Sequence, residues 1–154
     1  MIKTAMKKTL LVLLIAVMYL PLKGQSDISA EALKKHVYYL ASDEMAGRGW
    51  ATTEGQQAGD YIARLFEQAG LKKIGDSYFH EFLSRNGSTV LKGRNVVGLI
   101  EGSDPDLKNE YIVIGGHYDH IAYKFSDGER VVYNGADDNA SGTATVIELA
   151  EAFQ

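Results

Sequence analysis

The sequence predicts an α/β protein in which helices pack around a central sheet. Two amphipathic helical patterns precede a group of strand-like segments, and a third helical pattern follows them. Elements in this order bury their apolar faces by layering helices on a sheet. The length of 154 residues suits a single domain of this kind.

The N-terminus has the pattern of a secretory signal peptide. Met1–Lys8 carries three lysines and no acid, Thr9–Leu22 is almost wholly apolar, and small residues such as Gly24 follow. The apolar run is shorter than the ~20 residues that span a bilayer, and a proline interrupts it. We therefore predict a signal peptide over residues 1–24 and a mature chain of residues 25–154. This chain would be secreted or periplasmic, with no stable membrane anchor.

Charge and composition exclude some classes of partner and site. Removing residues 1–24 removes four lysines and no acid, which takes the formal charge from −4 to −8. Nucleic acids are not expected partners, because binding phosphates requires a basic surface. The sequence contains no cysteine, so disulfides and thiolate metal ligands are excluded.

Two helices are predicted in the first half of the mature chain. The first covers Ile28–Ser42, with Ser29 as its cap. The second opens at Thr53, where Gln56 completes a capping-box pattern, and it ends at Gly70. Apolar residues recur on one face of each pattern, so both helices should pack against a core.

Three strands are predicted next, at Ser77–Ser84, Asn95–Gly102 and Glu110–His120. The third begins as a continuous apolar run, which is typical of a strand buried on both faces. The segment Ser103–Asn109 has the composition of a turn. The third helix is predicted at Ala140–Phe153.

Residues suited to metal binding follow the apolar run, in the motif GGHYDH. Ligands in open α/β sheets gather at the carboxyl ends of strands, and glycines there let the backbone approach them. On an extended chain, His117 and Asp119 point the same way. Imidazole and carboxylate are suitable zinc ligands, and a carboxylate beside a ligating histidine also fixes its tautomer. By itself, however, an H-x-D pattern is weak evidence for a metal.

The stretch NGADDNASG, residues 134–142, has three competing interpretations. An aspartate near His117 would be placed to bridge two divalent metals, which lie ~3.5–4 Å apart in such sites. The acids would otherwise only cap the following helix. A calcium loop is the third interpretation, but the residues before Asp137 indicate a hairpin or loop instead of the entering helix that it requires. The matching positions of that loop are Asp137, Asn139, Ser141, Gly142 and Glu148.

Together, IGGHYDH and YNGADDNASGTA resemble the co-catalytic di-zinc aminopeptidases, a metallopeptidase family with glutamate carboxypeptidase-like and glutaminyl-cyclase-like members. LASDEMAGRG (40–49) and NVVGLIEGSDPDL (95–107) are similar to the amino-terminal part of its secreted bacterial members. The resemblance covers residues 28–153. It implies a three-layer α/β/α sandwich with a mixed central sheet, truncated after the metal-bridging loop and its helix.

The resemblance also implies an activity and residue roles. His117 would bind one zinc ion, Asp137 would bridge two, and Asp119 would orient His117. The Asp137–Asp138 peptide bond is often cis in the family. Peptides would be the substrates: two zinc ions would activate a bridging water, a glutamate would act as general base, and the substrate's free amino group would bind near one zinc.

Part of the family's site has no counterpart in the sequence. A Glu-Glu pair, an aspartate and a distant histidine lie on later strands and loops of the family. We therefore expect half a site here, inactive as it stands. Other acids and histidines of the sequence do not replace these missing ligands. Two glutamates lie on the helix after Asp137, and two histidines precede GGHYDH: Glu148, Glu151, His36 and His80. Two alternatives stay open, a non-catalytic or degenerate fragment and a glutaminyl cyclase-like transferase. The sequence does not indicate the oligomeric state or side-chain specificity.

Overall fold

The computed structural model describes residues 28–154, which form three α-helices and two β-hairpins. The predicted signal peptide lies outside the described residues. Within residues 28–154, no helix is long and apolar enough to cross a membrane. The elements are α1 (Ala30–Leu40), α2 (Thr53–Ala69), β1 (Phe79–Asn86), β2 (Thr89–Val96), β3 (Tyr123–Ser126), β4 (Glu129–Val132) and α3 (Ser141–Ala152).

The helix ends follow local hydrogen-bonding chemistry. Ser29 caps α1 as predicted, because its hydroxyl accepts a bond from the Ala32 amide at 3.0 Å. The predicted cap of α2 is wrong by one residue: Thr52 has the extended backbone and accepts from Gly55, whereas Thr53 is already helical. The predicted end at Gly70 is confirmed, with φ +85°.

The core lies where the three helices pack together. The apolar face predicted for α2 is confirmed, and α3 also packs into the core, because the central apolar residues of both helices are nearly inaccessible to solvent. Burial of this apolar surface is the main contribution to stability. The buried apolar residues include Leu40, Met45, Ala58, Tyr61, Ile62, Phe66, Leu71, Tyr78, Ala140, Ile147 and Ala150.

The first hairpin pairs β1 with β2 antiparallel, from Phe79 opposite Val96 to the turn. The strand predicted at Ser77–Ser84 is confirmed with shifted ends. The one predicted at Asn95–Gly102 overlaps β2 only at its start. Beyond β2, Leu99 forms an isolated antiparallel bridge with Lys72, in which the two residues exchange two backbone hydrogen bonds of 2.9 Å.

The strand predicted at Glu110–His120 is wrong. No strand is formed there, and Ile112 and Val113 are 92% and 91% exposed. A buried strand requires neighbours on both sides, and no other strand of the described range pairs with this segment. At its end, only His120 forms an isolated bridge, with Gly49.

The α/β class is confirmed, since helices and sheets are both present and share one core. Both sheets within residues 28–154 are two-stranded and antiparallel. The mixed central sheet is therefore not formed in this part of the chain. The second hairpin, β3–β4, occupies the region before Asp137 where a hairpin or loop was predicted.

Candidate metal centre

Two loops meet at the start of α3. One follows the exposed apolar run and carries His117, and the other is the irregular turn Ala136–Ala140. Asn139 and Thr143 donate side-chain hydrogen bonds to the carbonyl of His117, at 3.3 and 3.0 Å. A Cβ on Gly116 would lie 3.2 Å from the Asn139 amide nitrogen, so a glycine permits this approach. The start of α3 thus fixes the backbone of His117.

The His117 ring lies between two carboxylates. Its Nδ1 atom is 3.1 Å from the carbonyl oxygen of Asp119 and 3.5 Å from that residue's carboxylate. Its Nε2 atom is 3.1 Å from Oδ1 of Asp138. Because a carbonyl only accepts, Nδ1 is the donor in the first contact. In the neutral ring, the lone pair is then on Nε2, the side that faces Asp138.

Asp138, and not Asp137, is the acid of the turn that faces the histidines. Oδ1 of Asp138 contacts His117, and Oδ2 lies 3.6 Å from Nδ1 of His120. Asp137 is exposed, and within residues 28–154 its carboxylate forms no ion pair with a histidine. The cis peptide bond joins Asp138 to Asn139, one bond later than the resemblance implied.

The local backbone explains which acid faces inward. Gly135 has a left-handed conformation with φ +59°, and Asp138 and Asn139 have non-helical dihedral angles. The turn therefore does not continue α3 backwards, and neighbouring acids point in different directions. His120, which was assigned no role from the sequence, packs against Gly135, where an added Cβ would lie 2.7 Å from its ring.

The two other interpretations of this stretch lose support. α3 has no side-chain cap, so neither acid binds its first amides. Glu148, which would complete a calcium loop, is buried and lies 2.9 Å from Nε2 of His36. That carboxylate is directed at α1 and away from the turn. The buried His36–Glu148 pair has no local sequence signal and was missed.

A cleft of about 370 Å³ opens beside His117 and Asp119. Its other walls come from the start of α2 and from the β1–β2 hairpin. Trp50 and Phe82 form a stacked pair there, with ring centroids 6.3 Å apart. Arg94 adds a cationic group, which is paired with Asp60 at 2.7 Å. The cleft therefore combines an aromatic wall with charged groups.

Two donors at this site have the spacing expected of zinc ligands. Two ligands of one tetrahedral zinc ion lie about 3.4 Å apart, given bond lengths near 2.0–2.2 Å. The 3.1 Å between Nε2 of His117 and Oδ1 of Asp138 is close to that separation. No group of three or more His, Cys, Asp or Glu suited to one ion occurs in residues 28–154. The described residues thus supply two well-placed donors.

Comparison with known proteins gives one partial match. No solved structure matches the chain. The model of Peptidase family M28 matches residues 95–154, a range that includes both loops of the candidate metal centre and α3. It does not extend to α1 and α2. In residues 95–154, the chain is therefore similar to Peptidase family M28, a family of metal-dependent peptidases.

Proposed function

We propose that this protein is an exported, zinc-dependent aminopeptidase that removes N-terminal residues from peptides. The observation that carries the proposal is the His117 ring, held at Nδ1 by Asp119 and presenting Nε2 to Asp138. This is the usual environment of a ligating histidine, whose second nitrogen is bound by a carbonyl or carboxylate. The similarity of residues 95–154 to Peptidase family M28 supports the peptidase class.

His117 and Asp138 are the proposed zinc ligands, and Asp119 is the residue proposed to orient His117. When bound, zinc supplies Lewis acidity, which polarises a peptide carbonyl and favours deprotonation of water. The two oxygens of Asp138 face different imidazoles, at 3.1 and 3.6 Å. Each oxygen of Asp138 would therefore be available to hold an ion, and the resemblance implies two zinc ions. Asp137, the ligand implied by the resemblance, is the competing candidate.

Substrate binding is proposed in the cleft beside His117. Its volume of about 370 Å³ suits one or two amino-acid residues, and its opening next to Asp119 would bring a peptide to the metal centre. Trp50 and Phe82 provide apolar surface for a substrate side chain. We assign no general base within residues 28–154.

Measuring the zinc affinity of two variants shows which aspartate, Asp137 or Asp138, is a zinc ligand. We expect Asp138→Ala to weaken zinc binding at least tenfold, and Asp137→Ala to change it less than threefold, in competition with a chromophoric chelator. The two residues are adjacent and both exposed, so each variant is the matched control of the other. Far-UV circular dichroism checks the fold. The reverse order of effects would reassign the ligand to Asp137, and no loss in either variant would refute a site in this turn.

Activity is tested on the protein expressed from its complete reading frame. We expect chelator-sensitive hydrolysis of aminoacyl p-nitroanilides and no hydrolysis of their N-acetylated forms, because an aminopeptidase requires a free amino group. Cyclisation of an N-terminal glutamine with release of ammonia would identify the transferase alternative. Zinc binding with neither reaction would identify a non-catalytic protein.

A further inference from the structure

Arg48 is a fully buried arginine, with 0% of its surface exposed. Burying a guanidinium group is unfavourable unless its donors are satisfied. Arg48 also has a left-handed backbone conformation, with φ +48°, next to Gly47 at +69°. Groups around Arg48 must therefore offset the energetic cost of burying its guanidinium group and of its left-handed backbone conformation.

Backbone carbonyls from three separate segments provide that compensation. The Nε atom donates to Tyr118 at 2.9 Å, Nη1 to Asn134 at 2.7 Å, and Nη2 to Gly135 at 2.9 Å. Nη1 also donates to the last residue of α1, Leu40. Because a guanidinium has five donors in a rigid fork, it can hold several carbonyls at fixed relative positions.

The two site loops are the segments that Arg48 joins. Tyr118 lies between His117 and Asp119, and Gly135 lies in the loop that leads to Asp138. One side chain therefore binds the main chain on both sides of the 3.1 Å contact between His117 and Asp138.

The backbone around Arg48 strengthens this connection. The amide of His120 donates to the carbonyl of Arg48 at 3.1 Å, and that of Ala122 to Gly47 at 3.2 Å. Gly49 and His120 form a parallel bridge. Burial lowers the pKa of Arg48, and the negative charges of Asp119 and Asp138 oppose that shift. Both carboxylates thus interact with the arginine's positive charge.

We propose that Arg48 is a positioning residue that holds the His117 loop and the Asp138 loop at metal-binding distance. This inference rests on the proposed zinc function, but it predicts a change in the metal-free protein as well, which can be measured separately.

Two substitutions distinguish the role of the planar guanidinium group of Arg48 from the role of its positive charge. Arg48→Lys keeps a positive charge but replaces the planar fork with one ammonium group, and Arg48→Met removes both. Arg85→Met is the control, because Arg85 is exposed on β1. We expect zinc affinity to fall roughly 10–100-fold in Arg48→Lys, the range typical of residues that orient metal ligands. The control should bind as the unchanged protein does, and Arg48→Lys decides the question if Arg48→Met does not fold.

Amide hydrogen exchange of the metal-free protein provides the second measurement. In Arg48→Lys, we expect faster exchange at His120 and Ala122, whose amides donate to the Arg48 and Gly47 carbonyls, and unchanged exchange in the centre of α2. Zinc affinity within twofold of the unchanged protein, in a folded Arg48→Lys variant, would overturn the proposal. Faster exchange with no zinc binding by the unchanged protein would instead refute the proposed function while leaving Arg48 as the link between the loops.

Discussion

His36 and Glu148 form a buried pair across 112 residues of sequence, with Nε2 of the histidine 2.9 Å from Oε1 of the glutamate. The other ring nitrogen of His36 lies 2.6 Å from the hydroxyl of Tyr61. His36 lies in α1, Tyr61 in α2 and Glu148 in α3, so this network joins all three helices. Since α3 begins next to the candidate metal centre, its position affects Asp138 as well.

Truncating the glutamate tests the strength of this network. We expect Glu148→Ala to lower the free energy of unfolding by about 1–3 kcal/mol, because it leaves a buried imidazole nitrogen without a partner. Urea denaturation measures the change. Glu151→Ala, on the exposed side of the same helix, should change it by less than about 0.5 kcal/mol. Equal effects of the two substitutions would mean that the pair contributes nothing specific.

Gly47 offers a test of the close contact between the kinked 3-10 helical segment Asp43–Arg48 and the residues that flank β3 and β4. A Cβ at Gly47 would overlap the carbonyl oxygens of Ala122 and Tyr133, and its φ is +69°. Gly75 has nearly the same φ, +68°, but nothing within 4 Å of an added Cβ. It is therefore a control for backbone strain alone.

We expect Gly75→Ala to cost about 1–2 kcal/mol, the penalty of the left-handed conformation for a residue with a Cβ. Gly47→Ala should cost at least about 2 kcal/mol more, because overpacking against backbone atoms adds to that penalty. Thermal unfolding followed by circular dichroism measures both. Similar losses of stability in the two variants would show that the Asp43–Arg48 segment can move to accommodate the added Cβ without an energetic penalty.

The features that were predictable from the sequence are those with local causes. Ser29 and Gly70 end helices through bonds and dihedral angles that involve only their neighbours. The candidate metal centre was predicted from the sequence because GGHYDH and the paired acids are short motifs. The choice between Asp137 and Asp138 was not accessible, since both have the same chemistry and only the dihedral angles of the turn decide which faces His117.

Tyr118 predicts a loss of stability in alkali. Its hydroxyl donates to the carbonyl of Arg94 at 2.6 Å, and burial raises its pKa, although the Arg94 charge opposes the shift. A raised pKa in the folded state means that folding favours the protonated phenol. The contribution to stability is therefore complete below the unfolded pKa of about 10 and is lost as the pH rises through the folded value.

We expect the free energy of unfolding to fall as the pH rises above about 10, the unfolded pKa of tyrosine, and Tyr118→Phe to reduce that slope. Urea denaturation at several pH values measures it. Tyr111→Phe is the matched control, since that ring is 76% exposed. If the free energy of unfolding falls with pH equally steeply in Tyr118→Phe, Tyr118 does not cause the loss of stability in alkali.

The apolar run Tyr111–Ile114 gives the sharpest test of the described fold, because sequence and structure disagree there. Ile112 is 92% exposed, whereas Ile147 in α3 is 3% exposed. Ile147→Ala should cost about 2–5 kcal/mol through lost burial and a new cavity. Ile112→Ala should change stability by less than about 0.5 kcal/mol, as exposed substitutions do. Urea denaturation compares the two, and a cost at Ile112 similar to that at Ile147 would mean that this run is buried in solution, as the sequence pattern predicted.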